Sequence, residues 1–169
     1  MNKQPKVAVI MGSDSDFPAL KACISFLKKM DIAAEVFVMS AHRTPDKAAE
    51  FAASADKNGF DCLIAAAGKA AHLAGVLAAH TVIPVIGVPI KASTLDGLDA
   101  LLSTVQMPKG IPVATVAIDG GDNAAILAAQ ILALKYDYLK EKLYDMKKEM
   151  AEGVEEKKNK IKELAEEIR

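Results

Sequence analysis

Tryptophan is absent from this 169-residue chain, and aromatic residues make up only 5% of it. Stacking platforms for single-stranded nucleic acid need several such rings, so that class of binder is excluded. An excess of either charge is also missing: 21 Lys and Arg stand against 22 Asp and Glu, a formal net charge of −1. A near-neutral chain with no basic stripe is a poor partner for duplex nucleic acid, whose affinity rests on phosphate neutralisation. Cysteine occurs only at Cys23 and Cys62. Their separation matches no metal-ligand or redox spacing, and they read as small buried hydrophobes in a reducing cytosol. The polar start, Met1 to Pro5, runs straight into a strand pattern, so no signal peptide is read there and a cytoplasmic location is expected. Ala70 to Ile90 carries no Asp, Glu, Lys or Arg and is long enough to cross a bilayer. His72, Gly75, His80, Pro84, Gly87 and Pro89 interrupt it, so a helix, a turn and a buried strand fit better than a membrane span.

What is present is an apolar chain, 51% hydrophobic, long enough to bury one full core. Its charges are unevenly placed. Residues 1–134 hold 11 basic and 12 acidic side chains, whereas residues 135–169 hold 10 of each. The expected organisation is therefore an α/β body over 1–134, followed by a charged helical extension over 135–169. Within the body, strands are read at Lys6 to Met11, Glu35 to Met39, Asp61 to Ala66, Pro84 to Val88 and Pro112 to Ala117. Helices are read at Phe17 to Met30, Pro45 to Asn58, Ala70 to Ala79, Leu95 to Val105 and Asn123 to Leu134. Thr44 is the expected N-cap of the second helix and Gly59 its terminator. This alternation predicts a parallel sheet with helices on both faces, and right-handed crossovers place the strand-to-helix loops along its carboxyl edge. In the tail, Leu139, Leu143 and Met146 share a helical face, as do Ile161, Leu164 and Ile168, with Gly153 expected to interrupt the helix.

Three of these loops carry chemistry. Gly12-Ser13-Asp14-Ser15-Asp16 follows the first strand. Its Ser and Asp residues are good helix caps, but Gly12 also lets a ligand approach the backbone and a helix start favours anions. Hydroxyls and free N–H groups suit phosphate, while a carboxylate suits sugar hydroxyls, so the loop reads as a ribose-phosphate binder. No dinucleotide or P-loop glycine pattern is present. Ser40-Ala41-His42-Arg43-Thr44-Pro45 follows the second strand. Arg43 offers a planar fork for phosphate, and His42 is of the residue type most used for acid–base work near neutral pH. Ala65 to Gly75 follows the third strand, with small residues around Gly68 for close approach, a cation at Lys69, and His72. His80 reads as structural. The histidines lack the i, i+4 spacing of a helical zinc pair, and no Cys or carboxylate cluster completes a site, so no metal is expected.

With these loops quoted, the sequence resembles the class I N5-carboxyaminoimidazole ribonucleotide mutases of purine synthesis, the family once called phosphoribosylaminoimidazole carboxylase catalytic subunits. The resemblance runs from about Lys6 to Leu134 and rests on VAVIMGSDSD, SAHRTPDKAAEFA, AGKAAHLAG, PVIGVPI, LDGLDALLSTVQMPKGIPVATVAI and NAAILAAQILA, in that order. It implies a three-layer α/β/α sandwich around a five-stranded parallel flavodoxin-like sheet, assembled as a homo-octamer with active sites at subunit junctions. It implies a small ribonucleotide substrate and no metal or organic cofactor. It implies that Ser13, Asp16 and Arg43 bind the ribose-phosphate end with Ser40 beside them, that His42 is the general acid/base, and that Gly68 and His72 line the base and carboxylate pocket.

The sequence departs from the family pattern at Lys69, where Gly is common, and at Ala74, where Pro is common; the loop Asp119 to Asp122 is shorter than a common family form. Lys69 adds a cation that can assist in holding a carboxylate. Ala70-Ala71-His72 favours the mutase over the class II enzymes, which carboxylate aminoimidazole ribonucleotide directly and are the alternative reading. A flavodoxin-like binding or signalling module is a third reading. Low aromatic content disfavours a flavin sandwich, and His42-Arg43 has no place in an acidic phospho-acceptor cluster.

Overall fold

A computed structural model of the chain describes residues 4–168. Five parallel strands form one sheet: β1 (Lys6–Met11), β2 (Ala33–Val38), β3 (Cys62–Gly68), β4 (Val85–Ile90) and β5 (Ala114–Thr115), in the spatial order β2-β1-β3-β4-β5. The helices are α1 (Phe17–Lys29), α2 (Pro45–Ser54), α3 (Leu73–His80), α4 (Leu98–Val105), α5 (Gly121–Leu132) and α6 (Tyr138–Glu166), with short 3-10 turns at Asp14–Asp16 and Leu95–Gly97. This is the expected three-layer α/β/α, flavodoxin-like arrangement. β1, β3 and β4 are apolar almost throughout because both of their faces are covered. Val7, Val9 and Met11 pack with Ile64, Leu20 and the alanines of α5 on one side. Ala8 and Ile10 pack with Leu63, Ala48, Ala52 and Leu77 on the other. The chain reverses direction across the sheet between β1 and β3, and such a switch point opens a crevice at the carboxyl ends of the strands.

The alanine richness of the body has a packing use. Ala124, Ala125, Ala128 and Ala129 are fully buried on α5, which lets this helix lie close to α1. The approach is tightest at Gly121, where an added methyl group would collide with the carbonyl oxygen of Ala19.

Several elements differ from their sequence expectation. β5 has two residues rather than six. Pro89 of β4 faces it and has no N–H to offer, although its carbonyl still accepts from Asp119 N at 2.9 Å, so the ladder on this edge stays short. α2 ends at Ser54, and a further turn carries the chain to Gly59, whose φ of +82° closes it. Thr44 does not cap α2 with its side chain; that hydroxyl serves the preceding loop instead. The 70–90 stretch divides into α3 and β4, and no helix among the described residues is long and apolar enough to cross a membrane. α6 runs unbroken through Gly153. One interior glycine costs about 1 kcal/mol, and the helix formers around it outweigh that, aided by ion pairs such as Lys158–Glu155 at 2.8 Å.

The start of α6 is fastened to the body. Leu139 and Leu143 are buried in the α1/α5 side of the core. Asp61, just before β3, accepts from Lys6 N at 3.1 Å, from Lys135 Nζ at 2.8 Å and from the Tyr136 hydroxyl at 3.2 Å. Burial alone would raise the Asp61 carboxyl, but these donors outweigh it and hold it below its ordinary value of 3.8. A depressed folded-state value gives stability that is present above the unfolded-state value and is lost as pH falls through the folded one. Asp61→Asn is therefore expected to be less stable by about 1–2 kcal/mol at pH 7, a figure reduced for the exposure of Lys135. The deficit should shrink below about pH 4. Urea titrations at pH 7 and pH 3 measure this, and an equal deficit at both would exclude the linkage.

Candidate active site

The carboxyl edge of the sheet is where the loops after β1, β2, β3 and β4 meet, around a cavity of about 450 Å³. The candidate catalytic and substrate-binding residues line it: Ser13 and Asp16 after β1, Ser40, His42 and Arg43 after β2, and Gly68, Lys69 and His72 at and after β3. A second hollow of about 340 Å³ adjoins it, lined by Gly12, Ser13, Ser40 and Arg43, which border both, together with Asp14 and Thr44.

The β1 loop is a capping box. The Ser13 side chain accepts from Ser15 N at 3.4 Å, and the Asp16 carboxylate accepts from Ser13 N at 3.1 Å. Asp16 is only 8% exposed. Burial raises its carboxyl above the ordinary range, and the bonds from Ser13 and Ser15 offset this only in part. Desolvation of the charged form is the dominant cause.

The β2 loop is tied by Ser40 and Thr44. The Thr44 hydroxyl accepts from Ser40 N at 3.0 Å and donates to Ser40 O at 3.0 Å, while the Ser40 hydroxyl accepts from Arg43 N at 3.2 Å. The loop therefore closes through its own backbone and hydroxyls. That leaves the His42 and Arg43 side chains, both exposed, available to a ligand. Arg43 is the body's single arginine, the other being Arg169 at the chain's end.

After β3, the backbone turns sharply at Lys69, whose φ of +56° lies in the left-handed region that favours glycine. The sequence-predicted α3 is shorter than expected because residues 70–72 complete this turn, with His72 N donating to Ala70 O at 2.8 Å. His72 then stands at the N-cap of α3. Its Nδ1 lies 2.9 Å from Nε2 of His42, with the rings nearly perpendicular at 78°. His80, at the far end of α3, does not line the cavity.

The fourth wall was not foreseen. Ile90, Lys91 and Ala92, at the end of β4 and beyond, also line the cavity. Lys91 N donates to Asp119 at 2.9 Å, and its ammonium pairs with Asp96 at 3.0 Å. The available signal was topological: strand order places β4 beside β3, so its loop must face the same crevice. Among the described residues, Asp16 is the one carboxylate lining the cavity, against Arg43, Lys69 and Lys91. This balance suits an anionic ligand that also carries hydroxyls.

Comparison with known proteins agrees with this geometry. The AIR carboxylase family profile matches residues 6–153, from the first residue of β1 well into α6. A Pyrococcus horikoshii protein named N5-carboxyaminoimidazole ribonucleotide mutase is 52% identical over 163 residues, which cover 96% of this chain and 92% of that one. A Thermotoga maritima protein of the same name is 49% identical over 160 residues, covering 95% and 94%. Among solved structures, Treponema denticola PurE superimposes with a TM-score of 0.83 at 27% identity, covering 94% of this chain and 99% of that one. Sequence blocks, sheet order and near-complete alignment thus converge, and the chain belongs to the AIR carboxylase family.

Proposed function

We propose that this protein is a mutase that moves the carboxyl group of N5-carboxyaminoimidazole ribonucleotide from the exocyclic nitrogen to ring carbon C4. The observation that carries this reading is the meeting of His42, Arg43, Ser13 and Asp16 in one cavity, in a chain about half identical to proteins bearing that name. Relatives named phosphoribosylaminoimidazole carboxylase are 48–56% identical to this chain but are matched over only 23–28% of their own length. The Pyrococcus and Thermotoga mutases are matched over 92% and 94% of theirs, which favours the mutase over the direct carboxylase.

In this reading Arg43 and the hydroxyls of Ser13 and Ser40 hold the phosphate, and Asp16 accepts from ribose hydroxyls. Gly68, Lys69 and His72 enclose the base and its carboxylate. His42 gives a proton to the carbamate nitrogen. The C–N bond then breaks, its electron pair stays on nitrogen, and carbon dioxide is freed. Ring carbon C4, made electron-rich by the adjacent amine, attacks the carbon dioxide and forms the new C–C bond. His42 takes the C4 proton, which restores aromaticity and returns the histidine to its starting state. Nothing is oxidised or reduced. Small residues around Gly68 let the backbone lie close against the freed carbon dioxide, and proximity to C4 favours recapture.

The direct test is an isomerisation assay. The protein should convert the carbamate substrate faster than it consumes aminoimidazole ribonucleotide with bicarbonate. The reverse order would establish the carboxylase reading.

The same reading places the protein in the cytoplasm as a homo-octamer. Cys23 and Cys62 are buried, which pushes both thiols up to about 12 and suits a reducing compartment. Leu95, Leu98, Leu102 and Val105 form an apolar stripe in which each residue is 46–64% exposed, directly after the loop that lines the cavity. A stripe of this kind supports association between copies, and the charged α6 braces the assembly. Leu98→Glu with Leu102→Glu is expected to shift the protein to smaller species by light scattering and to lower activity with them. An unchanged mass would remove α4 from the interface.

A further inference from the structure

The contact between His42 and His72 constrains the chemistry more than either residue alone. A hydrogen bond between two imidazole nitrogens, here 2.9 Å apart, needs one N–H and one lone pair. One proton therefore lies between the rings, and the pair can hold at most one positive charge while the bond lasts. The outer nitrogens, Nδ1 of His42 and Nε2 of His72, are left for other partners. The other charged groups lining the cavity are Asp16 beside α1, Arg43 before α2, Lys69 before α3 and Lys91 after β4. Arg43 follows His42 directly in the chain and Lys69 stands three residues before His72, so both flanking charged groups are cationic.

We infer that His72 is a positioning residue for His42: it engages Nε2 of His42, fixes the tautomer, and leaves Nδ1 of His42 as the single nitrogen that exchanges a proton with substrate. In the loaded state His42 carries hydrogen on both nitrogens, and its Nε2–H donates to Nδ1 of His72. Donation from Nδ1 to the carbamate nitrogen leaves the pair neutral with its internal bond unchanged. The vacated Nδ1 lone pair then removes the C4 proton and restores the loaded state. Acid and base steps thus use the same atom, and His72 keeps the ring from turning between them. A partner that only orients a catalytic group is worth roughly 10–100-fold in activity.

This inference rests on the proposed role of His42, and the two are tested separately. His72→Phe removes the acceptor but keeps a ring, and His72→Asn restores a side-chain acceptor at the position of Nδ1. His72→Phe is expected to lower kcat by roughly 10–100-fold with KM changed less than about threefold, and His72→Asn to recover part of that loss. Nitrogen-15 spectra of labelled wild-type protein should show His42 with hydrogen on Nε2, and His72→Phe should redistribute the His42 tautomers. A wild-type kcat in His72→Phe, a loss confined to KM, or His42 tautomers indifferent to the substitution would each overturn the inference. If His42→Asn itself kept full activity, the reading of the site would fail instead.

Discussion

Substituting Asn for His42 is expected to lower kcat by about 10²–10⁴-fold, the range of a lost general acid–base group, with little change in KM or in melting temperature. The expectation of an intact fold follows from how the loop is built. Ser40 and Thr44 close it through their own hydroxyls and backbone, and none of those bonds uses the His42 ring. Asn is close to imidazole in shape near the backbone and keeps a polar group where Nδ1 stands, but it exchanges no proton near neutral pH. Both steps of the proposed isomerisation need that proton, first on nitrogen and then off carbon. Steady-state kinetics with a parallel thermal melt would check this. A variant with wild-type turnover would remove His42 from the chemistry.

Arg43→Ala is expected to act on binding. The guanidinium borders both the main cavity and the adjoining hollow, with Ser13 and Ser40 beside it. A charge-assisted bond of this kind contributes about 1.5–3 kcal/mol, so KM should rise by roughly 10–150-fold while kcat falls much less. Arg43→Lys keeps the charge but loses the planar fork, and it should recover only part of the affinity. Calorimetry with a ribose phosphate would separate the phosphate contact from the rest of the substrate. Unchanged affinity in Arg43→Ala would move the phosphate elsewhere, to Lys69 or Lys91, the other cations lining the cavity.

Much of this is legible in the sequence alone, for specific physical reasons. β1 reads at its true bounds because a strand covered on both faces is apolar without alternation and Gly12 ends it. His42 and Arg43 stand out because they fall just after a strand, at the sheet edge where ligands bind. The misses have physical causes as well. β5 reads long because the sequence pattern does not show that Pro89 of its neighbour withholds a donor. Gly153 reads as a break because propensity is local, whereas a helix of 29 residues is held by many such terms together. Lys91 passes unnoticed because its surroundings are bland, and only strand order brings it to the cavity. The bond between His42 and His72 joins residues 30 apart on different loops and had no local signature. Lys69 was visible as a departure from the family pattern, but its left-handed backbone emerged only from the fold.

The central claim is that one carbon leaves nitrogen and arrives at C4 without entering bulk solution. Substrate carrying carbon-13 in its carbamate group, turned over in buffer with unlabelled bicarbonate, tests this directly. Retention of the label in the C4 carboxylate at early turnover is the predicted result. Early product carrying solvent carbon, with the label released as carbonate, would contradict the account.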